Sequence, residues 1–571
     1  MHIQRAGRQT LVFLAALAAD HSALCVASEP PPKIVDAASV HNHATSTFLD
    51  TPIVCSHDVG CDGGPRELLG ECSQPGCSYR CCLDWENHPE TIHKMPRPGI
   101  FPIPANGPGY YSAIDCLIGD CRQTAPKSGY APFAINAWPF FDADWRYVES
   151  VPAQERTVVE RLKRLRFPDC FLLSTGGEFW TRYAHEHNSR LTDTTNEFTI
   201  GHIRQYLDFA YGDSLRVYGE YVWADSWGED LPSVPPDVDR GDILDLFVDV
   251  NLGELAGKPV YVRGGRQELL FGSQRLVTPL PWANKRHSFD GFRVFRQGTK
   301  VDFDAFWTKY VPPRATEFDS ADDNQTFAGL WGTHRPKKGE FRDLYYLFFD
   351  NKNESTSLGI NRSPFQTHTV GSRWAGSNEG LLWDFEGAFQ FGQQNQGDLT
   401  AAMATLGLGK NFGNCVASPT FWIYYDYASG DDDPTSSTSH TFQQQFPFGH
   451  YYLGWMDLVG RQNIHDLNAH LYLYPSNWIT TWVQYHRFYL AEERDALYNA
   501  GGVPYRRDVT GSSGNDVGDE IDLVINFHLT KYSDLLVSYN KLFGGRFLES
   551  TAGANQSADA ESLYLIFQQR W

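Results

Sequence analysis

The chain has 571 residues, 14% of them aromatic, and carries 48 Lys and Arg against 69 Asp and Glu, a formal charge of −21 at pH 7. Such length and aromatic content exclude a disordered chain, and the acidic balance excludes general nucleic-acid binding, which needs a basic surface to neutralise phosphate. A mean hydropathy of −0.41 argues against helical membrane spans, but membrane strands alternate apolar and polar residues and average near neutral.

In chain order, residues 1–28 read as a secretory signal. Arg5 and Arg8 precede the apolar run Leu11 to Ala19, and Val26-Ala27-Ser28 supplies small residues before Glu29-Pro30. Cys25 would suit a lipoprotein, but Leu24 is a poor match to the small residue expected before it. No later run reaches about 18 apolar residues, so no spanning helix is expected.

Residues 29–125 form an extracytoplasmic segment holding Cys55, Cys61, Cys72, Cys77, Cys81, Cys82, Cys116 and Cys121. In an oxidising compartment this even cluster reads as a disulfide framework. The spacings Cys77-x3-Cys81-Cys82 and Cys116-x4-Cys121 lack the paired CxxC arrangement of zinc ribbons. Cys170 and Cys415 are isolated in sequence. Residues 126–168 are a linker, in which Val158, Leu162 and Leu165 at helical spacing predict a short amphipathic helix over 155–166, ending at Pro168.

From Asp169 to Trp571 the pattern becomes repeated strands with period-two alternation. Between Phe171 and Tyr183 the odd positions are mostly apolar or aromatic, while the even ones include Ser174, Glu178 and Arg182. Leu215, Val217, Tyr221 and Trp223 likewise oppose Arg216 and Glu220, and Phe385, Phe389 and Phe391 oppose Asp384, Glu386 and Gln390. Such segments number about 18, from 171–185 to 562–571, at about 22 residues per strand and connection. The expected fold is therefore an all-β transmembrane antiparallel barrel of about 18 strands over 169–571, with a cysteine-rich N-terminal extension. Ser429 to Gln462 is then an outer loop. A soluble β-sandwich or propeller would also alternate, but its apolar faces would meet in a core instead of carrying Trp, Tyr and Phe near strand ends.

Several segments carry a family resemblance. Arg263-Gly264-Gly265-Arg266-Gln267-Glu268-Leu269 is followed by Trp282-Ala283-Asn284 and Ser288-Phe289-Asp290-Gly291-Phe292-Arg293. Gly176-Gly177-Glu178 with Arg182, Tyr425 to Asp431, Phe446 to His450 with Gly454 and Asp457, and Glu520-Ile521-Asp522-Leu523 complete the set. In this order they resemble the bacterial alginate export family of outer-membrane barrels. That resemblance implies 18 strands and a narrow, arginine-lined lumen suited to an anionic polysaccharide. The cysteine-rich segment lies outside the family pattern. Trp180 stands where the family often has another Arg, and His287 precedes Ser288 where Arg is usual.

A lumen that passes anions needs inward cations braced by carboxylates. Strand parity nominates Arg182 with Glu178, Arg204 with Asp208, Arg216 with Glu220, Arg266 with Glu268, and Arg373 beside Thr369 and Gly371. Arg293, Asp245, Asp249, Glu386, Glu520 and Asp522 share the polar faces. Each pair can equally be an ordinary ion pair that props a wide barrel; for Arg266, Glu268 and Arg293 the resemblance implies the constriction. Asp431-Asp432-Asp433 and the aromatic run Phe442 to Phe448 belong either to a solvated loop or to a gate folded into the lumen.

No catalytic constellation stands out, and His185, His187, His440, His450, His465 and His470 lack metal-ligand spacing. The sequence is therefore read as a non-enzymatic channel with no cofactor and no metal, in a Gram-negative type of outer membrane. Its expected partners are an anionic polysaccharide or acidic solute, outer-membrane lipid and periplasmic export proteins. The alternatives are a surface adhesion module anchored by a barrel and a secreted β-protein acting on glycans.

Overall fold

The computed structural model describes residues 113–117, 129–130, 139–167 and 171–571, apart from 338, 414, 434–435, 477 and 554–555. The signal segment lies outside the described residues. So does the cysteine framework, save for the one-turn helix Ala113–Leu117. Cys415 is disulfide-bonded.

Alternating sequence becomes alternating burial. In β1 (Phe171–His187) Leu172, Ser174, Glu178, Trp180 and Arg182 are buried, whereas Phe179 on the other face is exposed. The same rule builds β2 (Asn196–Tyr211), β3 (Leu215–Trp227), β4 (Asp239–Leu255), β5 (Lys258–Gln267) and β6 (Ser288–Gln297). It continues through β7 (Val301–Val311), β8 (Gln325–His334), β9 (Glu340–Ser357), β10 (Ile360–Asn378), β11 (Leu381–Gln394) and β12 (Gly397–Asn411). The last six are β13 (Thr420–Ala428), β14 (Ile464–Ser476), β15 (Ile479–Leu490), β16 (Asp516–Thr530), β17 (Ser533–Gly544) and β18 (Ala560–Arg570).

Each strand pairs antiparallel with its neighbours, and β18 pairs back to β1, with Glu178 opposite Arg570 and Tyr183 opposite Leu565. This closes one 18-stranded ring with no free edge, which removes the sandwich and propeller alternatives. Some hairpins are as tight as two residues. Leu358-Gly359 and Glu379-Gly380 have φ of 48° and 73°, and of 48° and 79°, the type I′ geometry that follows strand twist and that glycine accepts at the second position.

The outer face carries a belt of exposed apolar side chains from strands all around the ring, including Leu207, Phe292, Leu344, Phe389, Leu406 and Ile423. In water each would forgo about 1.5–3 kcal/mol of burial; in hydrocarbon it is already solvated. Short connections such as 212–214 and 256–257 sit at the end where the chain enters β1 and leaves β18. The long connections 268–287, 429–463 and 491–515 sit at the other end, an asymmetry that marks the periplasmic and outer sides of such barrels.

Two of the long connections fold into the ring. Phe271 stacks on Phe306 and Trp331, and Trp282 lies on His450 with ring centroids 3.5 Å apart. The two connections are joined by backbone hydrogen bonds. Thr278 donates to the Phe446 carbonyl at 2.9 Å and Phe446 to the Leu276 carbonyl at 3.0 Å. Phe442 to Phe448 is thus inside the barrel: Ser429 to Gln462 is not wholly an outer loop.

At the periplasmic end, residues 139–167 cross the mouth as three 3-10 turns (Phe140–Asp142, Arg146–Ser150, Glu160–Leu162) and a short strand, Leu165–Phe167, paired with the start of β1. The helix expected over 155–166 does not form. Val158 is 75% exposed, while Glu160 and Lys163 are buried. Side-chain bonds explain this inversion. Glu160 accepts from the Thr157 amide at 2.8 Å and from Lys531 at 2.6 Å. Lys163, in extended backbone (φ −110°), donates to the Tyr206 hydroxyl at 2.9 Å and the Trp571 carbonyl at 3.0 Å, and to the Thr175 carbonyl. Several charged hydrogen bonds outweigh the small helix preference of one isolated turn.

Candidate transport pathway

Inward positions of β1 to β5 stack charges in tiers. Nearest the periplasmic mouth, Arg263 makes a two-pronged bond to Asp249 at 2.7 and 2.9 Å. Beside it, Arg216 holds Asp208 through two 2.7 Å bonds. One tier up, Arg204 bridges Glu220 at 2.5 Å and Glu178 at 3.2 Å, and Glu178 is also bound by His202 and Arg570. These groups are almost fully enclosed, so each cation relies on its carboxylates for solvation. Asp245, also enclosed, has neither oxygen hydrogen-bonded among the described residues.

The expected partners along one strand are replaced by partners across strands. Four residues along a strand span about 13 Å, whereas neighbours across an antiparallel pair stand about 5 Å apart. Glu178 therefore faces Arg204 in register, and Arg204 and Arg216 exchange the carboxylates expected for them.

The opposite wall has its own cluster. Arg373 of β10 donates to Asp384 of β11 at 2.7 Å. Arg275, brought in by connection 268–287, binds Asp384 at 2.8 Å and Glu386 at 2.9 Å. Arg293 pairs with Asp304 across β6 and β7, and Arg461 of connection 429–463 pairs with Asp426 at 2.7 Å. These two loop arginines pin the inward loops to the wall, and no alternation signal marked them. Arg263 did carry such a signal, since it opposes Val260 and Val262 in parity.

Arg266 is the misplaced expectation. It lies in register with Leu246, which is 54% exposed, and pairs at 2.8 Å with Asp290, which alternates with inward Phe289. Alternation from Arg263 puts Arg266 on the outer face near the outer rim, away from any luminal constriction. Glu268 follows the end of β5 and is buried against Arg286 of the same connection, not against Arg266.

Arg182 differs from all of these. It is 7% exposed, yet Nε and Nη1 have no hydrogen-bond partner and no carboxylate pairs with it among the described residues. Aromatic rings frame its guanidinium instead: Trp282 at 4.3 Å, Tyr564 at 5.3 Å and Trp180 at 5.8 Å. The expected bond to Glu178 is absent because Glu178 is engaged by Arg204, His202 and Arg570.

Asp239, Asp242 and Asp319 bring three carboxylates together near the outer rim. Lys285 supplies their cation, donating to Asp319 at 2.6 Å and to Asp239.

A closed, edge-free ring with an apolar outside and a charged inside defines an outer-membrane β-barrel channel of the porin class. The chain belongs to the alginate export family, whose model matches residues 171–560. No curated protein matches the sequence. Similar solved structures include three from Pseudomonas aeruginosa, among them OccD3 (OpdP), at 10% identity over 70% of this chain and 91% of that one, with TM-score 0.46. The outer membrane protein OprD is 11% identical over 70% and 93%, with TM-score 0.45. OccK8 (OprE) is 10% identical over 70% and 98%, with TM-score 0.47.

Proposed function

We propose that this outer-membrane channel, exported by means of the segment 1–28, passes an anionic polysaccharide of the alginate type, or small acidic solutes, along its luminal arginines. The observation that carries the reading is Arg182. A buried guanidinium with open donors lacks the solvation its neighbours take from carboxylates, and an incoming carboxylate would supply it. Trp180 and Tyr564 add flat apolar faces on which the carbon side of a sugar ring can lie. Arg204, Arg216, Arg293 and Arg373, with Glu178, Glu220 and Glu386, then hold the wall open and set the field of the path. Arg266 braces the rim, whereas Glu268, held by Arg286 and within the field of Arg204, belongs to the enclosed charge cluster.

The test is a planar-bilayer recording with purified full-length protein and a hexauronate added to one side. Concentration-dependent block, with weaker block by a neutral hexasaccharide, is the expected result. Currents indifferent to both would contradict the reading.

A further inference from the structure

The aromatic residues of the segment that precedes the barrel cover the lowest arginine tiers. Phe140 lies over Arg204, with the guanidinium 4.2 Å from the ring centre, and Phe141 lies over Arg263 at 4.5 Å. The Phe141 backbone carbonyl accepts a 2.9 Å bond from Arg216. Phe141 also packs edge-on against Tyr218 and Phe247. Trp145 and Val148 are buried behind them.

We infer that residues 139–164 are a removable plug, which closes the periplasmic mouth and masks the lower part of the anion path by occupying three of its arginines. The aromatic faces and the carbonyl stand where a permeating anion would meet Arg204, Arg216 and Arg263. Withdrawal of the plug therefore opens the mouth and uncovers the guanidinium faces of three carboxylate-braced arginines in one movement. The means of attachment suits withdrawal. Among the described residues, the segment's strand pairing with the barrel is confined to Leu165–Phe167, beyond the plug. The plug itself is held by side chains, so it can leave without breaking the barrel's ladder.

One holding point sits at the edge of the mouth. Lys531, in the turn between β16 and β17, donates to Glu160 at 2.6 Å, and its side chain is 17% exposed. Tyr532 beside it meets the Thr157 hydroxyl at 3.3 Å. This latch lies within reach of the periplasmic side through the partly exposed Lys531.

The closure half of the inference is independent of the solute; the masking half rests on the anion-channel reading. The experiment therefore records both conductance and reversal potential, in full-length protein. Three variants are compared: deletion of 139–164, the pair Phe140→Ala/Phe141→Ala, and Lys531→Glu. Each is measured alone and in a chain also lacking residues 434–447, so that the outer loops do not limit the current. The expected result is a several-fold rise in conductance for the deletion and a higher open fraction for the other two. The double exchange Glu160→Lys/Lys531→Glu recovers part of the closure. A rise in conductance with a shift towards anions supports both halves. A rise without that shift overturns the masking half alone. Conductance equal to the full chain in every variant that inserts overturns the plug.

Discussion

The two levels of one lumen treat the same residue type in opposite ways. In the lower tiers Arg204, Arg216 and Arg263 are each locked to one or two carboxylates and are roofed by Phe140 or Phe141 or bonded to the Phe141 carbonyl. Further up β1, Arg182 is framed by rings and has no carboxylate partner among the described residues. The count of arginines facing a lumen therefore says little about what the lumen attracts. A guanidinium already satisfied by a carboxylate is structural, and its removal strands an anion in a low-dielectric wall. One left unsatisfied is destabilised until a ligand arrives, which is the condition for binding.

The sharpest way to break this contrast is to remove a shared carboxylate. Asp384→Ala leaves Arg275 and Arg373 facing each other across an empty position. It should cost about 3–5 kcal/mol, seen as earlier loss of the heat-resistant folded band on a gel. A mobility transition unchanged from the native protein would show that the lower-tier logic does not hold on this wall. Arg182→Ala is the counterpart. Stability should be unchanged or slightly higher, while affinity for a hexauronate falls by at least a factor of about 10, near 1.4 kcal/mol for one lost charged contact. Loss of folding with retained affinity would invert the assignment.

Shortening the inward loop should have a smaller effect on folding and a visible one on current. Deletion of 434–447 removes Phe442 and Phe446, which pack inside the ring, and single-channel conductance should rise. An unchanged conductance would take this loop out of the pathway.

The smallest effect expected is from pH. Burial of His287 against Tyr310 and Phe446 lowers its pKa to about 4, against about 6.5 when the loop is loosened. The loosened loop therefore takes up a proton that the packed loop refuses. The contribution of this packing is complete above pH 6.5 and is lost as pH falls towards 4. Open fraction should rise between pH 7.5 and pH 5, and His287→Phe should flatten that dependence. A response equally steep in the variant would assign the pH dependence to other groups.

The strands were legible because a wall with lipid on one side and charge on the other enforces period-two alternation at nearly every turn of the chain. Where that constraint relaxes, the reading falls short. β9 runs to Ser357 and β10 begins at Ile360, through polar ends whose alternation is too weak to mark in sequence. Alternation names a face but not a partner: Arg204 and Arg216 were placed inside correctly and paired incorrectly. Parity nominated Arg266 as an inward cation too, but in register with exposed Leu246 it lies on the outer face. Arg275 and Arg461 arrive on irregular loops, where no period exists to reveal them. Residues 155–166 misled because helical spacing was judged apart from the cations and carboxylate that the barrel base recruits.

The central claim is that an unpaired Arg182 sets the preference for anions. It is tested most directly by the reversal potential of single channels across a potassium chloride gradient, in native protein and in Arg182→Glu. The native channel should reverse on the anion-selective side of zero, and the variant should move to the cation-selective side while its folded-band stability is retained. Identical reversal potentials in the two proteins would contradict the account.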